Sequence, residues 1–201
     1  MNAIPEFLFI GYSIRERFVR PLKDIHKPVK NVITMDTLIM EPHPVLNERS
    51  KEIIEGYHVL GDSIRYSKDL ILKLFSHLSE PDKKEYAIFG YAIEESRALD
   101  FYYESSDPNV PPLKKFAYAI VNKASPSGEL KGYDVIDAHI EWISALTNCG
   151  DYWPDAEQCG EINQDHLFSE YCDALCFRDK ADILIEAHSP FSVVAIYQVT
   201  P

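Results

Sequence analysis

The chain has 201 residues, 46% of them hydrophobic and 26% charged, with a formal net charge of −12 from 20 bases and 32 acids. That length and composition suit a single globular domain spanning 1–201 and exclude a disordered chain. No run of apolar residues reaches the eighteen or so that a membrane helix needs, and so strong an acidic excess argues against binding a phosphate backbone.

The N-terminal apolar run Phe7–Tyr12 is short, follows no basic region and precedes no small-residue cleavage site. It reads as a first strand over 5–13 of a cytoplasmic protein. Residues 14–28 are basic and punctuated by Pro21 and Pro28, which suits a loop, and 29–40 have the β-branched content of one strand or two short ones. Glu41-Pro42-His43-Pro44 stops regular structure, because each proline lacks a donor and restricts the residue before it.

Apolar spacing predicts a helix over 45–59. After Gly61, Asp62 or Ser63 could cap a second, with Ile64, Leu70, Ile71, Leu74, Phe75 and Leu78 on its buried stripe. Residues 85–93 read as a central strand and 98–104 as another, followed by a proline-rich loop over 105–112. The segments 114–122 and 131–140 flank Ala124-Ser125-Pro126-Ser127-Gly128 and read as a β-hairpin with a long tip. A loop to Gly160 follows, then a helix over 163–180 with Asn163 as its cap, then a buried C-terminal strand in PFSVVAIYQV. The element order gives an α+β fold: a mixed or mainly antiparallel sheet with about three helices packed on one face.

Motifs that would signal common chemistries are absent. The sequence has no phosphate-binding G-x-x-x-x-G-K-[ST], no G-x-G-x-x-G, no H-E-x-x-H and no G-x-S-x-G. The four cysteines, Cys149, Cys159, Cys172 and Cys176, lack the short C-x2-C knuckles of structural zinc sites, so reduced thiols and no cofactor are expected. Cys149 lies among acids, which raise a thiol pKa and oppose a nucleophilic role with His139 or His188. Paired carboxylates such as Asp134 with Asp137, together with His139 or His166, keep a small hydrolase or metal-dependent enzyme open as an alternative. A non-catalytic regulatory or structural subunit is a third reading.

The charge is unevenly placed. Between Gly132 and Phe177 the sequence has ten acids and no Lys or Arg, which leaves 22 acids against 20 bases elsewhere. Both tryptophans, Trp142 and Trp153, fall in the same stretch. Aromatic anchors within an anionic field suit an interface for a basic protein surface. The residues that would form it are Asp151, Tyr152, Trp153, Asp155, Glu157 and Glu161, with Trp153 partly exposed.

In these attributes the chain resembles bacterial toxin-immunity proteins, and its stretch GYDVIDAHIEWISALTNCG (132–150) resembles a segment of small uncharacterised bacterial proteins. The resemblance implies a cytoplasmic monomer or dimer that binds one toxin domain and occludes its basic active site without turnover. It supplies no catalytic residue to carry over, while the cysteine spacing, charge and hydropathy above lead to the expectation of no metal, nucleic-acid or membrane partner. Self-association remains open, because the basic N-terminal stretch complements the acidic segment.

Overall fold

The computed structural model describes residues 6–16, 45–46, 59–60, 64–65, 67–103, 113–138, 142–147 and 153–201. The basic segment after Glu16, the 29–40 strand and the 105–112 loop lie outside these residues. So do residues 47–58 of the expected 45–59 helix; residues 45–46 are helical, and Val59 belongs to a strand instead.

In chain order the elements are β1 (Phe7–Glu16), β2 (Val59–Leu60), β3 (Ile64–Arg65), α1 (Lys68–Ser76), α2 (Asp82–Glu85), β4 (Tyr86–Glu94), α3 (Glu95–Ala98), β5 (Tyr102–Tyr103) and β6 (Leu113–Lys114). They continue with α4 (Ala117–Asn122), β7 (Glu129–Ile136), α5 (Trp153–Cys159), α6 (Tyr171–Leu184), a 3-10 turn (Glu186–His188) and β8 (Ser192–Val199). One sheet runs in the order β2-β3-β1-β4-β8-β7 with every pairing antiparallel, and β5 pairs with β6 apart from it. The fold is α+β, as the element order implies.

Period-two burial assigns the faces. On β4, Phe89, Tyr91 and Ile93 point one way, where they pack with Ala98, Phe101, Phe116 and Ala119 from the short elements α3 and α4 and their flanks. Ile88 points the other way and packs with Val199 against Leu70, Ile71, Leu74 and Phe75 of α1. Val193, six residues before Val199 and so on the same side of β8, packs with Val135 against Ala174, Phe177 and Ala181 of α6. The two longest described helices therefore share one face, and short helical turns cover the other. A bulge between Phe9 and Gly11 lets Phe9 and Tyr12, three apart, reach the α1 side together.

Four local expectations need correction. The 114–122 segment is not a hairpin arm. Phe116, Ala119 and Ile120 sit at helical spacing and turn into the core as α4, which Lys123 ends in the left-handed region at φ 43°. Its intended partner, β7, pairs instead with the C-terminal strand β8. The 98–104 strand shrinks to Tyr102–Tyr103, because α3 takes its start and Phe101 enters the core.

The second helix starts later than Asp62 or Ser63. Ile64 belongs to β3, and Ser67 is the cap, its Oγ accepting from Leu70 N at 3.3 Å. The last helix starts at Tyr171, not Asn163. The Asn163 carboxamide accepts from Asp165 N at 2.9 Å and Leu167 N at 3.2 Å and donates to Lys131 O at 2.7 Å. Those bonds give the loop backbone an alternative to a helix. Phe168 then bridges to Tyr133 and Ile162 as irregular strand. No helix among the described residues is long and apolar enough to cross a membrane.

Candidate protein-binding face

Within the 132–177 segment the structure sorts the acids into two sets. Asp134 and Asp137 are fully buried, and Asp165 is nearly so. Asp134 Oδ1 accepts from Ser144 Oγ at 2.6 Å and from the amide of Val135 at 2.8 Å. Asp165 stands 3.5 Å from Lys131 Nζ. These three face inward and add nothing to an outer field, contrary to the expectation of a uniformly presented acidic segment. Their burial is tolerated because each is hydrogen-bonded or paired.

The second set lies on the α5–α6 side. The stretch expected to be a loop up to Gly160 contains α5, which packs on α6 through Ala156 in the same apolar cluster as Ala174 and Phe177. Asp155 is half-buried on α5, while Glu157 and Glu161 are exposed. Ser169 N donates to Glu161 O at 3.2 Å, which brings the end of α5 beside the start of α6. Glu170 and Asp173 stand at that start, where the helix N-terminus favours negative charge. A Cβ on Gly160 would collide with the Asp173 carboxyl group, so Asp173 lies directly against the α5 terminus. Glu161, Glu170 and Asp173 therefore form one compact group. Asp151 and Tyr152 lie outside the described residues. Trp153 opens α5, and its side chain lies outside the described part.

The nearby cations are already engaged. Arg178 Nη1 holds Glu94 at 2.8 Å while its Nη2 holds Asp179 at 2.6 Å. Lys180 Nζ donates to the Asp155 carbonyl at 3.4 Å, and Lys131 serves Asp165 and Glu129. No described Lys or Arg forms an ion pair with Glu161, Glu170 or Asp173.

The three described cysteines lie on or beside the α5–α6 pair. Cys172 and Cys176 are exposed rather than on the buried face of the helix, and Cys159 is half-buried. Burial and a hydrogen bond to Cys176 push the Cys159 thiol up to about 11, away from thiolate chemistry. Cys149 lies outside the described residues. Among the described residues no three His, Cys, Asp or Glu side chains stand together as metal ligands.

The histidines divide in a way the sequence did not show. His166 is fully buried at φ 64°, with Nε2 3.4 Å from Leu146 O, and burial lowers its pKa to about 4. It is a neutral core residue at physiological pH. His139 lies outside the described residues. His188, weighed in the sequence only as a partner for Cys149, has Nδ1 2.8 Å from Asp137 Oδ2. The pairing of Ile136 with Ser192 explains this: Asp137 follows β7, His188 precedes β8, and antiparallel register brings those ends together. A carboxylate and a histidine 51 residues apart carry no local signature of such a contact.

Compared with protein-family models, with curated proteins and with solved structures, the chain shows no significant match.

Proposed function

We propose that the chain is an intracellular binding protein of the immunity or inhibitor type. It offers the α5–α6 face to a basic surface on a protein partner, such as a toxin domain, and occludes that partner's active site. The observation that carries this reading is the compact group Glu161, Glu170 and Asp173, exposed or half-buried and given no counterion by the described lysines and arginines. Asp155 and Glu157 on α5 extend the group along the helix. Asp151, Tyr152 and Trp153 would complete it at the N-terminal end, with the indole as the apolar anchor. Two helices packed through Ala156 and Phe177 provide a rigid mount, so little ordering entropy is lost when a partner docks.

The mechanism needs no turnover. Carboxylates pair with the partner's lysines or arginines, which otherwise hold an anionic substrate, and complementary fields raise the encounter rate. The test compares the full chain with the variant Glu157→Lys, Glu161→Lys, Glu170→Lys as bait in extracts of the native host. Captured proteins are identified by mass spectrometry, and association kinetics are then measured on the purified partner. The wild type should retain a basic protein, inhibit it stoichiometrically and bind it more weakly as salt rises, and the charge-reversed variant should lose it. Equal association rates for both chains would remove this face from the interface.

A further inference from the structure

A second polar cluster sits at the opposite end of the segment, around Asp137. Lys115 follows β6, is only 8% exposed, and places Nζ 4.9 Å from the centroid of the Trp142 ring. Trp142 adopts φ 63° and is steadied edge-on by Phe116 at 5.8 Å. Burial lowers the Lys115 pKa to about 8, and the Asp137 charge opposes that shift. Asp137 is near enough to act on Lys115 electrostatically, yet no carboxylate oxygen of a described residue stands within 4.0 Å of the ammonium. The oxygens of Asp137 are in use: Oδ1 accepts from Ile143 N at 2.6 Å, and Oδ2 faces His188 Nδ1 at 2.8 Å. Nor does a described residue accept a hydrogen bond from Lys115 Nζ. The Lys115 stem is buried, while its ammonium, with three donors and only an aromatic face for company, keeps access to the surface, where it can meet a ligand's oxygens.

We propose that Lys115, with Trp142 and His188 around Asp137, is a binding site for a small oxyanion, the carboxylate or phosphate group of a ligand. The ammonium supplies charge and donors that the protein leaves unused. His188 is 31% exposed, and its Nδ1 edge is committed to Asp137, so Nε2 is the edge open to a ligand. With Nδ1–H donated to the carboxylate, Nε2 becomes a donor when the imidazolium forms. Asp137 then balances the imidazolium, and Lys115 is left to balance the anion. A metal cation is disfavoured by the ammonium, and a purely apolar ligand would leave it unsatisfied. The site lies apart from the α5–α6 acids and does not depend on the role assigned to them.

The test is titration of the full-length protein with inorganic phosphate in one arm and acetate in the other, at constant ionic strength against chloride. The indole Nε1–H resonances are followed by NMR. The protein has two tryptophans, so Trp142→Phe assigns the relevant signal. One oxyanion should shift the Trp142 resonance saturably, about twofold more tightly at about pH 6 than at about pH 8, where burial leaves about half of Lys115 without its proton. Which arm saturates identifies the group. In Lys115→Met the affinity should fall about ten- to a hundredfold, as for loss of a charged hydrogen bond. His188→Gln keeps a polar side chain and guards against a misfolded methionine variant; it should leave binding saturable and weaken it less than Lys115→Met does. Linear, unsaturated shifts in both arms, or saturable binding undiminished in a folded Lys115→Met protein, would overturn the assignment.

Discussion

Replacing Arg178 by Met tests what fixes α6, and with it the acidic face, to the sheet. Arg178 Nη1 lies 2.8 Å from Oε1 and 3.0 Å from Oε2 of Glu94, the last residue of β4. Glu94 is almost fully buried and also accepts from Tyr171 Oη at 2.7 Å and from Val193 N at 2.9 Å. Methionine preserves most of the packing of the arginine stem but removes the cation. Glu94 then keeps two donors and loses its counter-charge. Breaking a buried ion pair from one side costs about 3–5 kcal/mol. The Arg178 side chain is 14% exposed, which puts the expected loss near the lower end, about 3 kcal/mol. For a chain of this size that corresponds to a fall in Tm of about 6–12 °C. Urea unfolding at neutral pH measures the free energy, and scanning calorimetry measures the Tm. The double variant Glu94→Gln, Arg178→Met should recover about half the loss, because a neutral amide no longer needs the cation. A loss below about 1 kcal/mol in the single variant, or no coupling in the double, would refute the reasoning that the pair anchors α6.

Gly132 sits at φ 144° in a bulge of β7, and a Cβ there would stand 2.6 Å from Phe168 O and 2.8 Å from Leu167 Cβ, so Gly132→Ala should cost about 2 kcal/mol or more in urea unfolding. For His166 the folded pKa of about 4 lies below the ordinary histidine value of 6.5, so the unfolded chain binds more protons between those values and stability falls as pH drops through that window. The His166 contribution is about 3 kcal/mol at most. His166→Asn, which tolerates positive φ, should flatten that part of the pH profile, and an imidazole that titrates near its ordinary value by NMR would contradict the burial argument.

Much of the architecture was legible in the sequence because it rests on short-range pattern. The apolar runs at 7–12, 86–93 and 192–199 have only one stable use, as strands buried on both faces, and they became β1, β4 and β8. The stripe Leu70, Ile71, Leu74, Phe75 fixed α1 by spacing alone. The segment 116–122 was harder, since Phe-Ala-Tyr-Ala-Ile-Val fits either period, and burial of Phe116 and Ala119 against the sheet selected the helix. Asn163 looked like a helix cap because its side chain suits one, yet the Lys131 carbonyl on a different strand claimed it.

The charge asymmetry was also visible in the sequence, as a count of ten acids without a base. Composition alone could establish that an anionic surplus exists and which stretch holds it. Only tertiary structure could divide it, turning Asp134 and Asp137 inward onto hydrogen-bond partners and leaving Glu161, Glu170 and Asp173 outward at a helix junction. The meeting of Lys115, Asp137, Trp142 and His188 was likewise decided by the fold. The physical reason is range. Helical and strand periodicity is set by neighbours a few residues apart, whereas a buried charge is placed by strand register across the sheet, which no local pattern encodes.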